Sequence, residues 1–81
     1  MPVPYRPDEI ARALIDAADR AGTPLHQVTV YPNEAAAVWH IHARSSSGEE
    51  QRLSFPFASV RGIYTPAEIA FHFTHGSWPF G

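Results

Sequence analysis

Residues 35–44 read AAAVWHIHAR. Successive side chains of an extended chain point to opposite faces, so a period-two reading puts Ala37, Trp39 and Ile41 on one side. Val38, His40, His42 and Arg44 fall on the other. One side suits a core, the other water or a partner, as in an antiparallel strand with a single covered face. The neighbouring runs share this pattern. QVTVYP (27–32) sets Val28 and Val30 on one face, while QRLSFPF (51–57) separates Leu53, Phe55 and Phe57 from Arg52, Ser54 and Pro56.

The connections suggest the register. Asn33-Glu34 after Pro32 reads as a two-residue loop, which sets Val28 opposite Trp39. Ser46-Ser47-Gly48 reads as a three-residue loop with Gly48 left-handed. That loop sets Arg44 opposite Glu50, His42 opposite Arg52 and Ile41 opposite Leu53. A slip of one residue would send the core residues to the wrong face and break the Arg44/Glu50 match. Pro56 cannot donate to a ladder, so the third strand is expected at an edge.

A helix is expected on either side of the three strands. In RPDEIARALIDAADRAG, Pro7 suits the first helical position and Asp8 and Glu9 suit the positive end of the helix dipole. Ile10, Ala13, Leu14, Ala17 and Ala21 form an inward stripe. Asp8, Arg12, Asp16 and Arg20 form a charge ladder of alternating sign, and Gly22 and Pro24 end the helix. In TPAE, Thr65 caps, Pro66 takes the first turn and Glu68 closes a capping box. Pro66, Ile69, Ala70 and Phe73 point inward, Phe71 points elsewhere, and Gly76 is the stop. The expected domain is α+β: a helix at about 7–21, strands at about 27–32, 35–45 and 50–57, and a helix at about 66–75. An aromatic tail occupies 76–81. The order is α-β-β-β-α, a single domain with a three-stranded antiparallel meander and both helices on one sheet face.

From Pro7 to Gly76 this order of elements resembles that of double-stranded RNA-binding domains. The resemblance implies a shared topology and lysines at the start of the second helix that grip phosphates. This chain has Thr65-Pro66-Ala67-Glu68 there, and its SSSGEE hairpin brings acids where that family uses a basic reading loop. The departures speak against RNA binding.

The bulk composition points the same way. The 81 residues carry six arginines, no lysine, eight acids and five histidines, a formal net charge of −2 with histidines neutral. An acidic chain is repelled by a phosphate backbone, so nucleic acid is not the expected partner. There is no cysteine, which excludes disulfides, thiolate metal sites and cysteine nucleophiles and fits a reducing compartment. No signal peptide and no membrane-spanning run is read, and the expected location is the cytoplasm.

The histidines are the residues with most chemical potential. His40 and His42 are an i, i+2 pair on one strand face. Glu68, His72 and His75 follow helical spacing of i, i+4, i+7. If the second helix covers the core face with this stripe turned away, the two sets lie about a layer apart, roughly 10 Å. They would not share a metal. No Gly-x-Ser-x-Gly elbow, phosphate loop or dinucleotide fingerprint is present. Neither enzyme activity, a cofactor nor a bound metal is expected.

What remains is surface. Thr29, Tyr31, Val38, His40, His42 and Arg52 fall on the uncovered sheet face, with the composition of an interface. Phe71, Trp78 and Phe80 are further candidate contacts, and Arg6, Arg61 and Tyr64 candidate rim residues. The expected function is a small non-catalytic protein-binding module that occupies a partner's surface. Phage and mobile-element inhibitors of host defence, including anti-CRISPR proteins, are of this type. The alternatives are a histidine-based metal- or pH-responsive module and a duplex-RNA-binding domain. A homodimer through the open face or an edge strand is compatible with the pattern.

Overall fold

A computed structural model describes residues 2–76. Helix α1 (Pro7–Arg20) leads into a meander of β1 (Leu25–Asn33), β2 (Val38–Ser45) and β3 (Glu50–Pro56). A small hairpin of β4 (Ala58–Ser59) and β5 (Gly62–Ile63) follows, and then α2 (Pro66–His75). The sheet order is β1-β2-β3 with antiparallel neighbours, so β3 is an edge strand. The α+β class and the three-stranded meander between two helices are those expected; the β4-β5 hairpin between β3 and α2 is an addition.

Trp39, Ile41 and Phe55 present one sheet face to Ile10 and Leu14 of α1 and to Ile69 and Ala70 of α2, and all of them are buried. Phe57, also fully buried, closes the core against Trp39 at a ring distance of 5.0 Å. Both helices therefore cover the same side of the sheet. Their ends follow local chemistry. Glu9 Oε2 accepts the Arg6 N–H at 2.9 Å to start α1. At α2 the capping box closes both ways, with Glu68 N–H to Thr65 Oγ1 at 3.2 Å and Thr65 N–H to Glu68 Oε1 at 3.1 Å. Gly76 leaves α2 left-handed at φ 66°.

The second hairpin has the expected register, with Arg44 opposite Glu50 and Ile41 opposite Leu53. The first differs. Val28 faces Ala43 rather than Trp39, and Trp39 faces Pro32. The tight Asn33-Glu34 loop gives way to a four-residue turn, Glu34 to Ala37, so β2 begins at Val38 and not at 35. Asn33 causes this: its Oδ1 accepts the Ala36 N–H at 3.2 Å, an Asx-type bond that winds the chain on instead of reversing it at once. Ala37 then adopts φ 55°, held by its carbonyl accepting the Phe57 N–H at 2.8 Å. The resulting slip is four residues. It is even, so no side chain changes face.

Three further differences concern packing. The buried line of α1 is Ile10, Leu14 and Ala18, whereas Ala13 and Ala17 are half-buried and Ala21 is exposed. The Asp8-to-Arg20 ladder closes none of its rungs; the ion pairs among the described residues are Arg6–Asp8, Arg44–Glu50 and Arg52–Glu50. His72 does not face away from the core. It is half-buried, with its ring 5.7 Å from Phe55 and 6.0 Å from Tyr64. No helix among the described residues is long and apolar enough to cross a membrane.

Candidate functional site: the uncovered sheet face

With both helices on one side, the other side of the meander carries four cross-strand rows. They are Asn33/Val38/Pro56, Tyr31/His40/Ser54, Thr29/His42/Arg52 and Gln27/Arg44/Glu50. The meander thus gathers Tyr31, Val38, His40, His42 and Arg52, the expected contact residues, on one surface.

The two central rows form a linked cluster. The Tyr31 ring lies 5.1 Å from His40 and meets His42 edge-on at 5.6 Å, and its hydroxyl is 3.4 Å from His42 Nε2. His40 is held on both nitrogens, with Ser54 Oγ 3.2 Å from Nδ1 and Asn33 Nδ2 3.5 Å from Nε2. Asn33 Oδ1 accepts the Ala36 N–H, and its Nδ2 faces His40. An amide NH₂ only donates, so in the tautomer that accepts from Asn33 at Nε2, Nδ1 carries a hydrogen toward Ser54. Asn33 and Ser54 thus flank the His40 ring from the two neighbouring strands.

Charge gives the face a second property. Arg44 and Arg52 both reach Glu50, at 3.4 and 3.1 Å. Hydrogen bonds and attraction from Arg52 first, then Arg44, hold the exposed Glu50 carboxyl below the usual carboxylate range. Two arginines against one carboxylate leave the face at +1 in a chain whose formal total is −2. The rest of the surface is correspondingly acidic. Relief is low: the depression beside His42 and Arg44 holds only about 140 Å³, below the roughly 300–1,000 Å³ of small-ligand pockets.

The remaining candidates lie elsewhere. Phe71 is 55% exposed on α2, in the helix layer and not on the sheet face. Trp78 and Phe80 lie outside the described residues. Arg6 pairs with Asp8 at the start of α1, Arg61 sits at the tip of the β4-β5 hairpin, and Tyr64 packs edge-on against Phe55 at 4.9 Å. Among the described residues no three histidine, aspartate or glutamate side chains converge as a metal site. Asn33 and Ser54 are the members of the cluster to which sequence reading gives no role. Their signal is the register itself, since Ser54 stands directly opposite His40. Compared with family models, curated proteins and solved structures, the chain finds no match.

Proposed function

We propose that this protein is a small non-catalytic binding module that occupies a partner protein's surface with its open sheet face. The proposed setting is cytoplasmic, among the phage or mobile-element accessory proteins that inhibit host defence, the anti-CRISPR type. One observation carries the reading: the Tyr31–His40–His42 cluster, flat, central and held by its neighbours, on a face that neither α1 nor α2 covers among the described residues.

Hot spots favour tyrosine and arginine at the centre of an interface, and rings already ordered lose little side-chain freedom when a partner docks. Tyr31 is 43% exposed, so a large part of its ring is free to be covered. The local excess of positive charge favours a partner that offers carboxylates, while the acidic remainder of the chain opposes a long polyphosphate.

The test is affinity capture from the source cell with the wild-type chain and with the triple variant Tyr31→Ala, His40→Ala, Arg52→Glu. The reading expects a protein retained by the wild type and lost with the variant. Equal retention by both, or retention of duplex RNA instead of a protein, would overturn it.

A further inference from the structure

On the helix layer, opposite the open sheet face, a groove of about 790 Å³ lies between α1 and α2. Its floor is made of small side chains, Ala13, Ala17 and Ala21 from α1 and Ala67 and Ala70 from α2. Alanines at spacings of three and four leave room for another helix surface to approach closely. Phe71 stands beside this floor, more than half exposed. His75 stacks on the Phe71 ring at 4.1 Å and 24°, with Nδ1 2.9 Å from the Phe71 carbonyl oxygen. An apolar knob thus sits next to an apolar hole on one face.

The charges at the groove have the same character. Asp16 and Arg20 both line it, one turn apart on α1. They form no ion pair with each other; Arg20 reaches back only to the Asp16 carbonyl, at 3.4 Å. A knob beside a hole, and an acid beside a base, are each self-complementary under a twofold rotation. A twofold dimer through this groove would bring Phe71 of one copy to the alanine floor of the other and Asp16 of each to Arg20 of its mate.

We propose that the α1/α2 groove is a homodimer interface occupied by a second copy of this chain. The dimer joins helix layer to helix layer and leaves both open sheet faces outward, so that it presents two binding faces at once. A bivalent arrangement raises avidity toward a partner that is itself paired or repeated.

Sedimentation equilibrium on the full chain, from low to high micromolar concentration, tests this. The wild type is expected to dimerise. Phe71→Glu, and separately Ala17→Arg, should each weaken association by about tenfold or more, the usual loss when a central contact is removed. Asp16→Arg should weaken it, and adding Arg20→Asp to that variant should restore it. Circular dichroism serves to verify that each variant remains folded. A wild type that stays monomeric throughout, a dimer indifferent to Phe71→Glu and Ala17→Arg, or a charge swap that does not restore association would overturn the proposal. So would a dimer that forms only after Trp78→Ser and Phe80→Ser, because the occupant would then be the chain's own last residues. The sheet-face variant used for partner capture leaves this interface intact, so the two ideas fail independently.

Discussion

Trp39 carries the most revealing stability experiment in this fold. It is fully buried against Phe57, and no protein acceptor reaches its indole Nε1–H among the described residues. Trp39→Phe therefore changes two opposing contributions. Shrinking the ring forfeits about 1–1.5 kcal/mol of transfer free energy at about 0.8 kcal/mol per methylene. A residual void of a few tens of Å³ costs about 0.5–1 kcal/mol more at about 24 cal/mol per Å³. Against this, withdrawing an unbonded buried N–H returns about 1–3 kcal/mol. The net change is expected to lie within about 1 kcal/mol of zero. Trp39→Ala removes the same N–H but leaves a far larger void and should cost about 3–5 kcal/mol, a large fraction of the stability of a chain of this size, for which about 4–12 kcal/mol is usual. Urea unfolding followed by far-ultraviolet circular dichroism separates the two variants by midpoint. A loss of about 3 kcal/mol or more for Trp39→Phe would refute the reasoning, because it would mean that the indole N–H has a partner worth keeping.

Three other outcomes follow from particular contacts. Ala37 sits at φ 55° with its carbonyl bonded to Phe57. Ala37→Gly should therefore be neutral or stabilising by up to about 1 kcal/mol, and Ala37→Val destabilising by at least about 1 kcal/mol; thermal unfolding midpoints that move in the reverse order would contradict this. Thr65→Ala removes the side-chain acceptor of the α2 capping box and should cost about 1 kcal/mol, measured as a lowered urea midpoint. The Glu50 carboxyl, depressed mainly by Arg52, contributes stability above the ordinary carboxylate range and loses it as pH falls through the lowered value. Arg52→Gln should move its titration upward toward that range, as followed by carbon-detected NMR, and an unmoved titration would contradict the pairing.

The fold was legible where side-chain period and turn chemistry agreed. The alternation around Trp39 and Ile41 set the faces. Gly48 left-handed at φ 91° fixed the second hairpin, and the Thr65/Glu68 box fixed the start of α2. The first hairpin was misjudged because a proline-asparagine step supports more than one turn, and only the Asn33–Ala36 bond selects the longer. Strands β4 and β5 have two residues each, too short for any period to register. The rotation of α1 onto Ile10, Leu14 and Ala18 was hidden by alanines, which are apolar enough for either side of the helix. His72 was misread for a related reason: spacing put it on one stripe with Glu68 and His75, but the ring packs beside Phe55 and Tyr64.

The same limits apply to the site. Tyr31, His40, His42 and Arg52 fall together in the sequence reading because they share a face of adjacent strands. The first-hairpin slip still changed their neighbours, setting Tyr31 beside His40 and Thr29 beside His42. The role of Asn33 depends on which of its amide atoms is already occupied, and no sequence pattern contains that information. Phe71 was singled out correctly as outward-facing, but only the packing of α1 against α2 shows that it borders a groove.

The central claim is that the uncovered sheet face is the surface that meets a partner. Its most direct measurement is an amide NMR titration of the isotope-labelled chain with the protein recovered by capture. The account predicts that the largest perturbations fall on Thr29, Tyr31, His40, His42, Arg52 and Ser54. Perturbations confined to residues 12–21 and 66–75, with those six unmoved, would contradict it.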